Sequence, residues 1–375
     1  MDPAGPAPGS LALSGFQNLH EVEGLARDRL PAATFDYFAG GAGDEVTIAE
    51  NRRAFERIGL RYRVLVDVSR RETGCSLLGA EVAAPIVVAP MAFQRLAHPD
   101  GEPGMARAAG SLGLLMTAST FATSSLEEIA AAATGPLWFQ LYVHQDRNIT
   151  RDLVQRAEAA GYRALVLTVD VPEIGRRERD ERNGFRLSPE LRVANFIPKT
   201  SDPLQAEVEG SRLRNFIHGM RDPSFAWKDL AWLAGLSKLP LVLKGIVRGD
   251  DARRAVDHGA AGIVVSNHGG RQLDGAIATL DALPEVVDAV GEGGGGDGRV
   301  LVMIDGGIRR GTDIIKALAL GARAVMVGRP ALWGLAVGGE AGARQVLELL
   351  RNELDLAMGL CGAATLSAIG RDLVR

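Results

Sequence analysis

Gly262-Ile263-Val264-Val265-Ser266-Asn267-His268-Gly269-Gly270-Arg271-Gln272-Leu273-Asp274-Gly275 decides how the rest of the chain is read. Its opening run is apolar and rich in β-branched residues, the composition of a strand buried on both faces. Polar residues follow at once, where such a strand ends. His268 can take a proton near neutral pH, and Arg271 can hold a carboxylate through two parallel hydrogen bonds. Gly269 and Gly270 let the backbone bend tightly between them. The stretch predicts a buried strand that delivers an acid–base histidine and an anion clamp into a loop.

Working outward, the same order of apolar strand, polar or glycine-bearing turn and helix recurs. Strands are expected at 85–90, 114–119, 137–143, 164–170, 241–245, 262–267, 300–305 and 324–328, with helices such as 153–160, 250–258 and 312–320 between them. Eight parallel strand–helix units in succession predict an α/β fold, a closed (β/α)8 TIM barrel. Most units are spaced by 21 to 29 residues, but 77 separate the fourth strand from the fifth. An insertion at about 172–232 fills that gap. Its charge run Arg176-Arg177-Glu178-Arg179-Asp180-Glu181-Arg182 reads as a solvated face, and its length and position read as a lid over the functional mouth. Gly291 to Gly298 reads as a spacer at the opposite end. Ahead of the barrel, residues 17–58 predict a helical arm: a helix from Asn18 to Leu30, a break at Pro31, a short turn through Phe38, a Gly40-Gly41 corner, and a helix from Asp44 to Phe55. Residues 61–84 read as irregular chain with short strands. The organisation expected is a flexible 1–16 followed by one domain over 17–375.

Barrels of this kind place their chemistry at the carboxyl ends of the strands. Here those ends carry Ser119; Gln140 and Tyr142; Thr168 and Asp170; Lys244; Ser266 and His268; Asp305; and Gly328-Arg329. Residues two apart in a strand share a face. Lys244 is the oddest of them, because a lysine ending a buried strand must be paired, wet or functional. It offers a Schiff base or a fixed positive charge beside an anionic cofactor. Asp170 offers a partner for a proton-accepting histidine, or a plain salt bridge. Asp305-Gly306-Gly307-Ile308-Arg309-Arg310-Gly311 and Gly328-Arg329-Pro330 follow the seventh and eighth strands, where many barrels bind phosphate. Tyr37, beside Phe35 and Phe38, either packs the arm down or enters the site.

The 375 residues, 46% of them hydrophobic, can bury a large core, and a net charge of −4 gives no general attraction for nucleic acid or anionic membrane. Cys75 and Cys361 stand far apart without a metal-ligand or redox spacing, as free thiols in a reducing compartment would. The start of the chain lacks the order of a signal peptide, no apolar run approaches membrane-spanning length, and the last residues are not a peroxisomal address. A cytoplasmic protein is the expectation.

Taken together, Ser266–Asp274, Asp305–Gly311, Gln140-Leu141-Tyr142, Thr168-Val169-Asp170, Gly175-Arg176-Arg177 and Phe35-Asp36-Tyr37-Phe38 resemble the FMN-dependent 2-hydroxy acid oxidases and dehydrogenases, the family of glycolate oxidase, lactate oxidase, mandelate-oxidising enzymes and the flavin domain of flavocytochrome b2. The likeness runs from about residue 17 to the C-terminus. It implies that His268 takes the substrate hydroxyl proton, with Asp170 stabilising its charged form. Arg271 and Arg177, helped by Tyr37, hold the substrate carboxylate, and Tyr142 bonds at the oxygen of the reacting carbon. For the FMN, the resemblance implies that Lys244 lies at the flavin N1 edge, that Ser119, Gln140, Thr168 and Ser266 contact the ring region, and that Pro90, Met91 and Ala92 pass its N5 edge. Asp305 binds ribityl hydroxyls, and Gly307, Arg309, Gly328 and Arg329 take the phosphate.

Phe121 stands where glycolate oxidases usually have tryptophan, and Met91 where they have threonine. Gln94 to Pro99 is similar to mandelate and hydroxymandelate oxidases. The implied reaction is oxidation of an (S)-2-hydroxy acid, longer-chain or aryl rather than glycolate, by hydride transfer to flavin N5, with oxygen as acceptor and hydrogen peroxide as product. A dehydrogenase using a quinone or protein acceptor is the alternative, and a Schiff-base lyase through Lys244 or a barrel that binds without catalysis comes from another class. The partners implied are a small 2-hydroxy acid and oxygen, with no nucleic acid and no membrane. By the same resemblance the protein is a homo-oligomer, a tetramer or octamer.

Overall fold

Short apolar, β-branched runs form the eight strands of a closed parallel barrel: β3 (Ile86–Val88), β4 (Leu115–Ser119), β5 (Leu137–Leu141), β6 (Leu165–Thr168), β7 (Leu241–Ile246), β8 (Gly262–Val265), β9 (Leu301–Asp305) and β10 (Ala324–Val327). They pair in chain order, and β10 closes on β3. The computed structural model describes residues 16–187, 191–196, 221–293 and 300–375. The expected flexible segment 1–16 therefore lies almost wholly outside the described residues, as do parts of the 172–232 insertion and of the Gly291–Gly298 spacer.

The two-residue period of the strands sorts their side chains into two cores. Val87, Leu115, Trp138, Val166, Val242, Val264, Leu301, Met303, Ala324 and Met326 pack together inside the barrel, while neighbours such as Ile86, Phe139, Leu243 and Ile263 face outward into the layer of helices. The hairpin of β1 (Cys75–Leu77) and β2 (Ala80–Val82) adds Leu77, Ala80 and Val82 to the inner core. The barrel is thus filled, and a polar cavity can form where the apolar rows stop.

Several strands end earlier than the sequence suggests. β6 stops at Thr168 and β8 at Val265, because the polar residues that follow leave the ladder to bond with one another. The arm also differs from expectation: where a turn was predicted there is a full helix, α2 (Ala32–Ala39), between α1 (Leu19–Arg29) and α3 (Val46–Arg57). The break expected at Pro31 is there, between α1 and α2, and α2 starts directly after it because proline just ahead of a helix forfeits an N–H that has no helical partner there. α3 starts without a local cap, Glu45 being left-handed at φ 63°. Asp274 caps it from the far side of the chain, accepting from the N–H groups of Thr47 at 2.9 Å and Asp44 at 3.0 Å. Asn51 and Asn267 exchange side-chain hydrogen bonds of 2.9 and 2.8 Å, so the arm is tied directly to the loop that carries His268. Among the described residues no helix is long and apolar enough to cross a membrane.

Candidate active site

The inner-facing rows that fill the barrel turn polar at its mouth. Continuing each row by two residues leads from Trp138 to Gln140, from Val166 to Thr168, from Val242 to Lys244, from Val264 to Ser266 and from Met303 to Asp305, and by four from Leu115 to Ser119. A cleft enclosing about 1300 Å³, part of it open to solvent, lies above this ring. Every residue expected in the site lines it except Asp170 and Ser266, which stand behind His268 and Lys244.

His268 is held in a left-handed conformation, φ 59°, that a side chain of its kind rarely adopts. Its backbone N–H donates to Ser266 Oγ at 3.0 Å, and its Nδ1 lies 2.8 Å from Asp170 Oδ1. With Nδ1–H committed to the carboxylate, Nε2 carries the free lone pair. Burial holds the imidazole below its ordinary pKa, assisted by the Lys244 and Arg177 charges and opposed by Asp170. The ring is therefore a neutral acceptor at neutral pH. Gly245 makes the pair sterically feasible: its φ of 114° suits glycine alone, and a Cβ there would stand 2.6 Å from the side chain of Asp170.

Lys244 is the paired lysine that the sequence allowed for. Nζ donates to Ser266 Oγ and to Asp305 Oδ2, each at 2.9 Å. Burial favours its neutral form, but the Asp305 and Asp170 charges outweigh that and raise its pKa, so it remains an ammonium. The other Asp305 oxygen, Oδ1, is buried without a hydrogen-bond partner among the described residues.

The arginines are treated differently. Arg271 donates through Nη1 to the carbonyls of Tyr37 and Gly40, each at 2.8 Å, and its guanidinium lies 5.3 Å from the Tyr37 ring. Arg329 likewise meets the carbonyls of Phe38, Gly269 and Gly40, and Arg309 that of Ile308. Burial pulls Arg271 and Arg309 down to about 10 and Arg329 to about 9; neighbouring arginines add to this in each case. Arg177 reaches Gln272 Oε1 at 3.4 Å, and its Nε is buried without a partner among the described residues. Buried cations that meet only neutral oxygens fit a site that receives anions.

These features fit FMN. Arg309 and Arg329, with the glycines 307 and 328, offer a phosphate its counter-charge at one end of the cleft. The unpartnered Asp305 Oδ1 suits a hydroxyl donor in the middle, and the Lys244 ammonium with Gln140 and Ser119 suits a polar ring edge. Pro90, Met91 and Ala92 form part of the wall.

A further part of the cleft is apolar. Phe121 lies 5.3 Å from the Tyr142 ring and 6.5 Å from Phe93, with Met91 and Ile174 nearby in the lining. Burial, with the Asp170 charge adding, pushes Tyr142 up to about 12, so it is a phenol donor at neutral pH. Tyr37 does both things the sequence left open: it stacks on Phe185 of the insertion at 4.3 Å and it lines the cleft.

Two residues that line the cleft escaped the sequence reading. Gln272 joins the two arginine-bearing loops, its Nε2 donating to Glu173 O at 2.7 Å and its Oε1 accepting from Gly175 N and Arg177. Its place beside Arg271 was a usable signal. Arg221 enters from the far end of the insertion, where no motif announced it.

Residues 26–375 match the profile of the family described as FMN-dependent dehydrogenase. The chain is similar to L-lactate oxidase of Nostoc sp., at 55% identity over 96% of this chain and 98% of that one, and to glycolate oxidase of Spinacia oleracea, at 48% over 94% of each. Among solved structures, mandelate oxidase with (S)-4-hydroxymandelic acid matches with a TM-score of 0.89 and 46% identity over 96% of this chain and 98% of that one.

Proposed function

This chain belongs to the FMN-dependent dehydrogenase family, has FMN as its cofactor and oxidises 2-hydroxy acids; from that premise we propose that its substrate is an (S)-2-hydroxy acid with an extended or aryl side chain and that oxygen is the acceptor, giving hydrogen peroxide. The observation that carries the reading is His268, oriented by Asp170 at 2.8 Å, in one cleft with Arg177 and Arg271.

In this reading the edges of Arg177 and Arg271 not engaged with the protein take the substrate carboxylate, and Tyr37 closes over Arg271. Tyr142 donates to the oxygen on the reacting carbon. His268 Nε2 accepts the hydroxyl proton, and Asp170 stabilises the imidazolium that results. FMN held in this cleft would supply the acceptor for the hydride that leaves the α-carbon as His268 takes the hydroxyl proton. Lys244 supplies positive charge to the polar edge of the ring, Ser119, Gln140, Thr168 and Ser266 organise that edge, and Pro90 to Ala92 back it. Asp305 meets ribityl hydroxyls, while Gly307, Arg309, Gly328 and Arg329 hold the phosphate. From the described part of the insertion, Phe185 stacks on Tyr37 and so shields that side of the cleft from water.

A Schiff base at Lys244 has little support, since an attacking amine needs a lowered pKa and Asp305 keeps this one charged. The apolar wall of Phe121, Met91 and Phe93 favours an extended or aryl side chain. The 55% identity with a protein named L-lactate oxidase favours a short one. Anaerobic bleaching of the flavin by a series from glycolate through lactate to mandelate decides between them, with fastest bleaching by the longer acids expected. Peroxide release in air tests the acceptor. The homo-oligomer and the cytoplasmic location rest on resemblance and sequence, and light scattering on the purified protein tests the first.

A further inference from the structure

We propose that Glu102 is a positioning residue for substrate side-chain selection: from behind the cleft it holds Phe93 in place, and through that ring it sets how well an acid with a large side chain is oxidised. The role rests on the function proposed above and adds to it a residue that does not line the cleft. Glu102 lies in the first turn of α4 (Gly101–Ser111) and is 0% exposed. A glutamate in that place ordinarily faces the N–H groups of its own helix and water. This one reaches across to two loops instead. Its Oε1 accepts from Gln94 N at 3.0 Å, in the loop after β3, and from Thr123 N at 2.8 Å, in the loop after β4. Its Oε2 accepts from Thr123 Oγ1 at 2.6 Å. That hydroxyl also accepts from Arg95 N at 3.2 Å, and Phe93 N donates to Phe121 O at 3.1 Å. The ladder of β3 and β4 pairs Val87 with Leu115 and Val88 with Met116. Past it, these bonds join the two loops, with Glu102 at their centre.

Both loops carry the apolar wall. Phe93 and Phe121 line the cleft with ring centres 6.5 Å apart, and Phe93 stands 6.1 Å from Tyr37. Phe93 is left-handed, φ 56°, a conformation that an aromatic residue keeps only when its surroundings impose it. The next N–H, that of Gln94, goes to Glu102, so the carboxyl group fixes the peptide that follows the strained residue. Phe121 has other supports: Asn195 Nδ2 donates to Thr120 O at 2.9 Å, and Thr120 N donates to Gln140 Oε1 at 3.2 Å. Loss of Glu102 therefore falls on Phe93. Two buried N–H groups would lose their acceptor, and the loop would shift to satisfy them. A small acid leaves that wall untouched, whereas an alkyl or aryl side chain packs against it, so the cost grows with side-chain size.

The test is anaerobic flavin reduction of the FMN-loaded protein by glycolate, lactate, 2-hydroxyhexanoate and mandelate, each compared with its own wild-type rate, so that the wild-type preference does not matter. Glu102→Leu keeps the bulk and removes the acceptors. It should lower the efficiency of 2-hydroxyhexanoate and mandelate relative to glycolate by roughly 10- to 100-fold, with lactate between. Glu102→Gln should return the series close to that of the wild type, because its amide oxygen can accept both N–H groups while its NH2 donates to Thr123 Oγ1. A series that Glu102→Leu leaves unchanged or tilts the other way overturns the proposal. So does an equal loss on all four acids, since a fault at the flavin or in overall stability acts alike on each, and so does a glutamine variant as impaired as the leucine one. Should the leucine variant fail to fold, Thr123→Val decides, with the same trend at a smaller size expected and its absence contradicting the role. Wild-type flavin that none of the four acids reduces removes the underlying function itself, a result distinct from reduction without the expected trend.

Discussion

His268 and Lys244 each meet a carboxylate inside the fold, Asp170 at 2.8 Å and Asp305 at 2.9 Å, whereas among the described residues the hydrogen bonds of Arg271, Arg309 and Arg329 in the same cleft go to carbonyl oxygens. The first pair of groups is complete before any ligand arrives, so its protonation states are set by the protein. The arginines find no carboxylate to hydrogen-bond among the described residues, which suits them to a ligand anion. Chemistry and binding are thus separated by how each buried charge is compensated, which makes them separable by mutation.

The largest effect expected is at His268. His268→Gln should keep the flavin, whose phosphate and ring contacts lie elsewhere, and slow flavin reduction by a 2-hydroxy acid by about 10²- to 10⁴-fold, the ordinary contribution of a general base. Normal reduction in rapid-mixing experiments would break the comparison on its chemical side. Arg329→Met should do the reverse. Loss of one buried guanidinium should weaken FMN retention by roughly 10- to 100-fold, read by flavin titration, with smaller change in the reduction rate once the site is filled. If retention were unaffected, Arg329 would belong with the internally completed charges. The smallest effect is at Asp274, which caps α3 from a distance of well over two hundred residues and lies outside the cleft. Asp274→Ala should cost about 1 kcal/mol in urea denaturation. It should leave the reduction rate near that of the wild type.

Much of this was legible in the sequence because the barrel writes its period openly. Val242 and Lys244 share a face by the same rule that puts Val264 with Ser266, so polar residues at the ends of apolar runs had to meet at one mouth. The resemblance then attached roles to them. What stayed hidden depends on contacts between distant parts of the chain. The sequence shows that Lys244 needs a partner, and not that the partner is Asp305 two strands on. It shows Asp274 in a striking motif position, and not that the motif reaches across to cap a helix of the arm. Pro31 and the Gly40-Gly41 pair disguised α2 as a turn, since the signals of a break and of a helix boundary are the same. Arg221 lies in a long charged insertion where one more arginine carries no local signal, and only folding brings it to Tyr142.

The division between completed and uncompleted charge is tested most directly by the pH dependence of anaerobic flavin reduction in Asp170→Asn beside the wild type. Burial holds His268 below its ordinary pKa while Asp170 pulls the other way. Wild-type reduction should therefore persist across neutral pH and fall only as pH drops below the usual imidazole range, where the base becomes protonated. Without the carboxylate the pKa drops further. The acid limb of Asp170→Asn should move to lower pH, on a plateau reduced by about 10²-fold or more. An acid limb that stays where it was, or moves to higher pH, would contradict the assignment of the His268–Asp170 pair as the internally balanced base of this enzyme.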